Sequence, residues 1–314
     1  MEKIIEVNNL IKKYKSSDKN SVDGISFTVK QGEFFAFLGP NGAGKTTTIS
    51  ILTTTLAATS GVVKIAGFDL EKDQSDVRKN IGVIFQNPSL DLNLTAEENL
   101  RMHAVLYGLF PFRPLFSMMP EEYKNRVYEL SQVLDIKTEI FKPLRTFSGG
   151  MKRKLEIIRT LLHKPKILFL DEPTSGLDPL SRKNLWNYLK EVREKEGTTI
   201  FLTTHYLDEA EGADTICIIN QGKIIMKGTP TSIKEELIDE VLEIDSHDKK
   251  SLEMELDQKG IKYRKEGVFQ IDIKGMDLHS LIKGIDTKLN LIKVIKPTLE
   301  EAYIQIVEKK EEGK

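Results

Sequence analysis

The sequence predicts an α/β core that is interrupted by a mainly helical segment and followed by a smaller α+β domain. Short apolar runs at 167–170, 199–202 and 216–219 alternate with polar helical stretches, which is typical of a sheet covered by helices. Residues 95–145 have a mostly helical pattern. The turn-forming residues at 228–231 then mark a domain boundary.

We therefore expect two domains. The first spans residues 1–230 and contains a helical subdomain at about 90–160. Within it, residues 1–85 read as short strands joined by tight turns. The second domain spans residues 231–314 and has a more acidic charge balance.

Composition excludes several classes of protein. With 314 residues, 46 Lys and Arg against 47 Asp and Glu, and 39% hydrophobic residues, the chain is typical of globular proteins and unlike disordered or collagen-like ones. A net charge of −1 provides no overall basic field for nucleic acid or acidic membranes. The single cysteine, Cys217, excludes an internal disulfide and a cysteine-cluster metal site, and fits a reducing compartment.

The chain is expected to be cytoplasmic. No stretch approaches the roughly 20 apolar residues that a membrane-spanning helix needs. Acidic residues interrupt the first six positions, where a signal peptide would be apolar.

One eight-residue segment, 39–46, matches the phosphate-binding loop pattern in full. It follows the apolar run 33–38 and precedes a helical stretch predicted at 45–56, and this context disfavours a glycine-rich turn without a ligand. Backbone N–H groups would face phosphate oxygens, Lys45 would reach the β and γ phosphates, and the Thr46 hydroxyl would bind Mg²⁺. The nucleotide-binding residues expected here are Gly39, Pro40, Asn41, Gly42, Ala43, Gly44, Lys45, Thr46 and Thr47.

Two acidic residues follow the apolar run 167–170. Such a strand would deliver them to the same sheet edge as the phosphate loop, where Asp171 would hold Mg²⁺ and Glu172 would polarise the attacking water. The alternative is a pair of carboxylates that only caps the next turn. The phosphate loop in the same chain disfavours it.

Two further predicted strands end in polar residues. The run 81–85 stops at Gln86, and the strand that begins at Thr199 runs to His205. Ligands of such sheets bind beyond the carboxyl ends of the strands, so both residues can reach a nucleotide. By position alone, a loop amide bonded to backbone and an ordinary surface histidine remain the alternatives.

A third motif, Thr146-Phe147-Ser148-Gly149-Gly150-Met151-Lys152-Arg153-Lys154-Leu155-Glu156, stands shortly before the Asp-Glu strand. With the other motifs in this order, the chain resembles the ATP-binding subunits of ABC transporters over about residues 1–230. The resemblance implies an ABC ATPase fold of the P-loop NTPase class, with an antiparallel β subdomain and a helical subdomain. It also implies that two copies pair head to tail when ATP binds, each ATP lying between the loop of one copy and the signature of the other. Met151 and Phe147 depart from the Gln and Leu of many relatives.

The resemblance also assigns roles to individual residues. Tyr14 would stack on adenine, Gln86 would contact Mg²⁺ and the transmembrane partner, and His205 would contact the γ-phosphate. The loop 175–178 would face the opposite copy. The implied catalytic residues are Glu172, His205 and Gln86; the metal ligands are Thr46, Gln86 and Asp171; the remaining nucleotide contacts are Ser148, Gly149, Gly150 and Asp178.

The signature reads as a second anion site, because Ser148 and the next two amides stand at the start of a predicted helix. Three cations in its first turn oppose the helix dipole. Either these cations provide a local positive potential with a function, or they form an ordinary solvated basic turn. These cations are Lys152, Arg153 and Lys154.

Other segments narrow the resemblance. The tract 46–56, the sequence 148–153 and the ending 296–303 are most similar to the daunorubicin-resistance type of exporter ATPase. This similarity favours export of drugs or other amphipathic compounds over uptake. It implies a separate integral membrane permease as partner and a location at the inner face of the cell membrane.

The alternative class is a soluble ABC-type ATPase that acts on nucleic acid or ribosomes. Such proteins tend to carry coiled-coil arms or two cassettes in one chain, whereas this sequence has no sustained heptads and no basic tract. We therefore expect no nucleic-acid partner. A P-loop kinase or GTPase would leave the Ser-Gly-Gly helix unexplained.

The segment 109–120 combines bulky apolar residues with closely spaced prolines and should loop out of the helical subdomain. It would be either an exposed surface for the membrane partner or a loop whose apolar side chains fold back. The side chains concerned are Phe112, Leu115 and Phe116.

Residues 240–297 follow the strand–helix–strand–strand–helix–strand order of a ferredoxin-like fold. A last helix is predicted at 299–309, with Thr298 as its N-cap. No catalytic constellation is apparent in this segment, so we expect a regulatory or dimer-supporting role for the second domain.

Overall fold

The computed structural model describes residues 2–85, 90–174, 176–204, 206–237, 241–273 and 276–295. The chain divides into two compact units, Met1–Lys227 and Gly228–Lys314. Each unit has a hydrophobic core of its own. Within the described ranges, no helix combines the length and the apolar character needed to cross a lipid bilayer.

The part of the chain up to the unit boundary contains both strands and helices. The strands are β1 (Lys3–Lys13), β2 (Asn20–Lys30), β3 (Phe34–Leu38), β4 (Ser60–Ile65), β5 (Phe68–Asp69), β6 (Ile81–Ile84), β7 (Ile167–Asp171), β8 (Thr199–Thr204), β9 (Thr215–Asn220) and β10 (Lys223–Gly228). The helices are α1 (Lys45–Leu52), α2 (Gln74–Asn80), α3 (Ala96–Leu106), α4 (Glu121–Val133), α5 (Gly149–Leu161), α6 (Pro179–Glu196) and α7 (Leu207–Ala210).

A six-stranded sheet in the order β10-β9-β3-β8-β7-β6 forms the centre of the first unit. From β9 to β6, neighbouring strands are parallel. β3, β7 and β8 are buried along their whole length, as strands of a parallel sheet covered on both faces are. Because parallel strands end at the same edge, the segments that follow β3, β7 and β8 meet there.

Four further strands form an antiparallel sheet in the order β2-β1-β4-β5. β1 and β2 each run for 11 residues and are therefore longer than the short strands expected from the sequence. Register shifts let the pair continue past irregular positions such as Asn9, which has a φ of 47°. The sheet lies over the shared core through residues such as Ile5 and Leu10.

α3, α4 and α5 lie between β6 and β7 in the chain and form the helical insertion. A capping box begins α3: the Thr95 side chain accepts from the Glu98 N–H, and the Glu98 side chain accepts from the Thr95 N–H. Two backbone N–H groups at this helix start are thereby satisfied.

α1 ends at Leu52, earlier than the end predicted at residue 56. The hydroxyl groups of two of the threonines that follow donate to backbone carbonyls of the last turn. Thr54 then takes a left-handed φ of 61°. The threonines therefore terminate the helix that their apolar neighbours would otherwise continue.

The second unit begins with α8 (Pro230–Leu237) and continues with β11 (Val241–Ser246), α9 (Lys249–Gln258), β12 (Tyr263–Glu266), β13 (Val268–Asp272), α10 (Leu278–Lys283) and β14 (Leu289–Ile295). Its sheet has the order β12-β13-β11-β14 with antiparallel pairs. This is the predicted ferredoxin-like order. The helix predicted at 299–309 and its cap Thr298 lie outside the described residues.

Candidate functional site

The phosphate loop lies between β3 and α1, and the geometry of the loop requires its glycines. Gly42 and Gly44 have φ values of 79° and 109°, a region that favours glycine. A Cβ on Gly39 would lie 2.3 Å from the Ile219 carbonyl oxygen, and one on Gly44 would lie 2.4 Å from that of Ser21. Neighbouring backbone therefore packs against the loop too closely for side chains at these positions.

Lys45 begins α1 and is only 7% exposed. Its ammonium group donates to the carbonyl oxygens of Gly39, at 2.6 Å, and Pro40, at 3.1 Å. Burial lowers the pKa of Lys45, and the carboxylates of Glu172 and Asp171 act in the opposite direction. The cation is thus held inside the loop and within the field of both acids.

Asp171 ends β7 and is 5% exposed. The Thr203 hydroxyl on β8 donates to its carboxylate at 2.5 Å. Burial raises the pKa of Asp171, although that hydrogen bond opposes the shift; Glu172 raises it further, and Lys45 opposes it. In this pocket the ionised carboxylate is less favourable than in water, so a cation beside it would be stabilising.

Glu172 follows in a left-handed conformation with a φ of 48°. A non-glycine residue in this region costs on the order of 1–3 kcal/mol. The Glu172 N–H donates to the Thr203 carbonyl at 3.0 Å, and the Glu172 carbonyl accepts from Arg153 Nη2 at 2.9 Å. Buried groups on both sides therefore hold the strained turn in place.

Tyr14 follows β1 and is 38% exposed. Its hydroxyl lies 3.4 Å from Oγ1 of Thr47, in the first turn of α1, and the ammonium of Lys12 lies 5.4 Å from its ring centroid. Thr46, beside Thr47, is exposed. The structure thus brings the ring expected to stack on adenine to the helix that follows the phosphate loop.

Ser148 is the N-cap of α5, and its side chain accepts from the Met151 N–H at 3.2 Å. Ser148 and Gly149 are exposed. A Cβ on Gly150 would lie 3.3 Å from the Gly176 carbonyl oxygen, so this position is tighter. An exposed, well-capped helix start of this kind can accept an anion held by another molecule.

Asp178 is the N-cap of α6, where its carboxylate accepts from the N–H and the hydroxyl of Ser181. These bonds lower the pKa of Asp178. Its predicted contact with a nucleotide stays a prediction. Gln86, Ser175 and His205 lie outside the described residues, although β6 and β8, which lead to the first and the last of them, belong to the central sheet.

The sequence interpretation of Arg153 was wrong. Arg153 neither faces solvent nor supplies an exposed positive charge, because it is 4% exposed and pairs with Glu156 on the same helix at 3.2 Å. It donates to the backbone carbonyl directly after β6, to that of the last residue of β7, and to those of the two residues that follow β7. The available signal was a glutamate three residues further on, at helical spacing.

Glu209 on α7 is a second buried residue that the sequence analysis did not identify. The hydroxyl groups of Thr174 and Thr204 both donate to its carboxylate, and all three residues are buried. Glu209 therefore ties the segment after β7 to the end of β8, on the site side of the sheet.

Residues 22–175 match the family model described as ABC transporter. The daunorubicin/doxorubicin resistance ATP-binding protein DrrA of Streptomyces peucetius is 39% identical over 248 residues, which cover 79% of this chain and 72% of DrrA. The chain belongs to the ABC transporter family. The resemblance to the daunorubicin-resistance type is thereby confirmed.

Two further relatives of the ABC family carry drug-related names. The linearmycin resistance ATP-binding protein LnrL of Bacillus subtilis is 38% identical over 73% of this chain and 70% of its own length. The probable multidrug ABC transporter ATP-binding protein YbhF of Escherichia coli is 38% identical over 74% of this chain. The match covers only 38% of YbhF, so the chain spans well under half the length of that relative.

Solved ABC cassettes share the fold. An ATP-binding subunit of an ABC transporter superposes with a TM-score of 0.67 at 32% identity, over 74% of this chain and 92% of the other. A dimeric cassette in a post-hydrolysis state, bound to ADP and Pi, gives a TM-score of 0.64 at 26% identity, over 72% of this chain and 98% of the other. The predicted α/β fold of the ABC ATPase type is confirmed.

Proposed function

We propose that this chain binds and hydrolyses ATP and thereby powers a separate membrane permease that exports drugs or other amphipathic compounds. The observation that supports this most strongly is the meeting of Lys45, Asp171 and Glu172 at one edge of the central sheet. The drug-resistance names of DrrA and LnrL favour export. The chain would work in the cytoplasm, at the inner face of the membrane.

In the proposed reaction, the phosphate loop holds the β and γ phosphates through backbone N–H groups, and Lys45 adds the positive charge. Glu172 orients and polarises the attacking water. Tyr14 stacks on the adenine ring. His205 and Gln86, which follow β8 and β6 in the chain, would act from the ends of the two strands that flank β7.

The donor set also fits Mg²⁺, a hard cation that prefers oxygen ligands. The Thr46 hydroxyl and the Asp171 carboxylate would hold it, together with Gln86. Its chemical contribution would be to neutralise charge on the phosphate oxygens. The buried environment that raises the pKa of Asp171 supports this assignment, because a bound cation would compensate the carboxylate.

A second copy of the chain is the proposed partner for the exposed helix start at Ser148. In a head-to-tail pair, Ser148 and the amides of Gly149 and Gly150 would meet the ATP held by the other copy. Asp178 would lie near the same interface. The dimeric structure of a related cassette with ADP and Pi supports the pairing of two copies.

Glu172→Gln tests the assignment of the water-activating group. The variant should bind ATP as tightly as wild type but lose hydrolysis by a factor on the order of 10²–10⁴. With ATP it should elute as a dimer, since the pair forms and is not released by hydrolysis. Equilibrium titration, phosphate release and size exclusion measure the three effects.

Two further variants are controls for the Glu172→Gln result. Lys45→Ala should weaken ATP binding itself, and Glu191→Gln, at an exposed acid on α6, should behave like wild type. If Glu172→Gln hydrolyses ATP at nearly the wild-type rate, the assignment of Glu172 is wrong.

A further inference from the structure

Arg153 makes an unusual set of contacts for a residue next to a solvent-exposed helix start. It is the fifth residue of α5, after the N-cap Ser148, yet it is only 4% exposed. Its guanidinium donates to four backbone carbonyls from two separate segments. The acceptors are Phe85, Asp171 at 3.1 Å, Glu172 at 2.9 Å and Pro173 at 3.0 Å.

The planar guanidinium is suited to this arrangement. It offers five N–H donors in a fixed fork, whereas a lysine ammonium offers three donors from a single point. The three consecutive carbonyls of the turn from Asp171 to Pro173 all accept hydrogen bonds from this one guanidinium. The carbonyl of Phe85, directly after β6, accepts from the same side chain.

The charge of Arg153 is paired with a buried carboxylate of the same helix. Glu156, itself buried, pairs with Nη1 at 3.2 Å and holds the fork in one orientation. Burial lowers the pKa of Arg153, and Glu156, Asp171 and Glu172 act in the opposite direction. The side chain is therefore anchored at its own helix, while Nε and Nη2 donate to the turn that carries Glu172.

We propose that Arg153 is a positioning residue for ATP hydrolysis, which fixes the turn 171–173 and thereby the side chain of Glu172. The inference rests on the proposed role of Glu172. Arg153 and Ser148 share one helix, so a shift of α5 on contact with the other copy's nucleotide would be transmitted to Glu172 through the guanidinium. The signature helix would thus serve both the partner's ATP and the hydrolytic turn of its own chain.

Arg153→Lys in the full chain tests this role, with Arg101→Lys as the matched control. Arg101 is also buried, at 7% exposure, pairs with Glu97 on its own helix at 3.0 Å, and donates to two carbonyls, both at 2.7 Å. Those carbonyls belong to Arg113 and Pro114, in the helical insertion. Arg101→Lys therefore reproduces the structural loss without touching the hydrolytic turn.

The expected result is a fall in kcat on the order of 10- to 100-fold for Arg153→Lys, with KM for ATP within about twofold of wild type. Amide hydrogen exchange in the peptide covering 171–174 should be faster in this variant than in wild type. Arg101→Lys should lower the melting temperature without either change. If kcat of Arg153→Lys stays within about twofold of wild type, or if Arg101→Lys lowers kcat equally, the inference is wrong.

Glu156→Gln is a second test of the inference, for use if Arg153→Lys does not fold. It leaves the guanidinium in place but removes the charge that orients it. A several-fold lower kcat at unchanged KM supports the inference, and an unchanged kcat overturns it. Glu172→Gln separates the two proposals: wild-type hydrolysis in that variant contradicts the role of Glu172, whatever Arg153 does.

Discussion

His103 on α3 is a half-buried histidine whose protonation the fold resists. Its ring lies 4.2 Å from that of Tyr107, which lies 4.6 Å from the ring of His163. Burial, followed by the charge of Arg159 and the neighbouring His163, lowers the pKa of His103 to about 3. Its Nε2 has no hydrogen-bond partner among the described residues.

This depressed pKa predicts a pH-dependent stability. Below the ordinary value of 6.5 the unfolded chain takes up a proton at His103 and the folded chain does not, so stability falls as the pH falls. When the pH falls from 7.5 to 5.5, the free energy of unfolding should decrease in both proteins. The decrease should be about 1 kcal/mol smaller in His103→Phe than in wild type. Urea titrations that follow Trp186, the single tryptophan, measure the difference.

Tyr107→Phe is the control for this measurement, because it alters the same ring cluster without removing a group that titrates near neutrality. It should keep the wild-type pH dependence. Identical pH dependence in His103→Phe and wild type would contradict protonation of His103 on unfolding.

At the residue scale, the sequence predicted groups whose chemistry follows from a motif and missed those whose role follows from packing. Lys45, Asp171 and Glu172 lie together as their positions after β3 and β7 predicted. Arg153 could not be assigned in this way, because its partners are backbone carbonyls that any sequence would provide. Asp178 likewise has a visible capping function that its predicted role did not include.

At the element scale, the segment between α3 and α4 divides into a packed part and an exposed part. The Phe116 ring contacts three aromatic rings of the helical insertion, with centroids 5.2–6.0 Å apart. Phe112 and Leu115 are 58% and 59% exposed. Of the two alternatives given for this segment, Phe116 therefore folds back onto the helical insertion. Phe112 and Leu115 form an exposed apolar surface.

This division separates two variants that the sequence could not distinguish. Phe112→Ser should leave stability unchanged but weaken co-purification with the proposed membrane permease from the native host. Phe116→Ser should lower the free energy of unfolding by about 1 kcal/mol or more, because three ring contacts are lost. Denaturant titration and affinity purification of the full chain measure the two effects. Wild-type recovery of the permease with Phe112→Ser would exclude Phe112 from the docking surface.

The order of elements was predictable where turn residues and apolar runs alternate, as in β6, β7, β8 and the second unit. Element ends were less predictable. α1 stops at Leu52 because threonine hydroxyls compete for its last carbonyls, a local effect that hydrophobic periodicity does not report.

At the scale of the whole molecule, each of the two units has a hydrophobic core of its own. The core of the first includes residues from β1 to β9, whereas that of the second joins its own sheet to α9 through residues such as Leu252 and Phe269. The site residues placed by the structure all belong to the first unit. The second unit can therefore be removed without taking away any of these groups.

A chain that ends at Gly228, where β10 ends, should consequently fold and bind ATP with the affinity of the full chain. If the second unit regulates pairing, the truncated chain carrying Glu172→Gln should dimerise with ATP at a different concentration midpoint than the full-length Glu172→Gln chain. Analytical ultracentrifugation over a concentration series measures that midpoint, and ATP titration of both chains is the control for folding of the site. Because no site residue is lost, a changed midpoint at unchanged ATP affinity can arise only from the second unit. Equal midpoints, together with equal hydrolysis in the wild-type background and equal assembly with the permease, would instead point to a role for the second unit in binding a separate ligand.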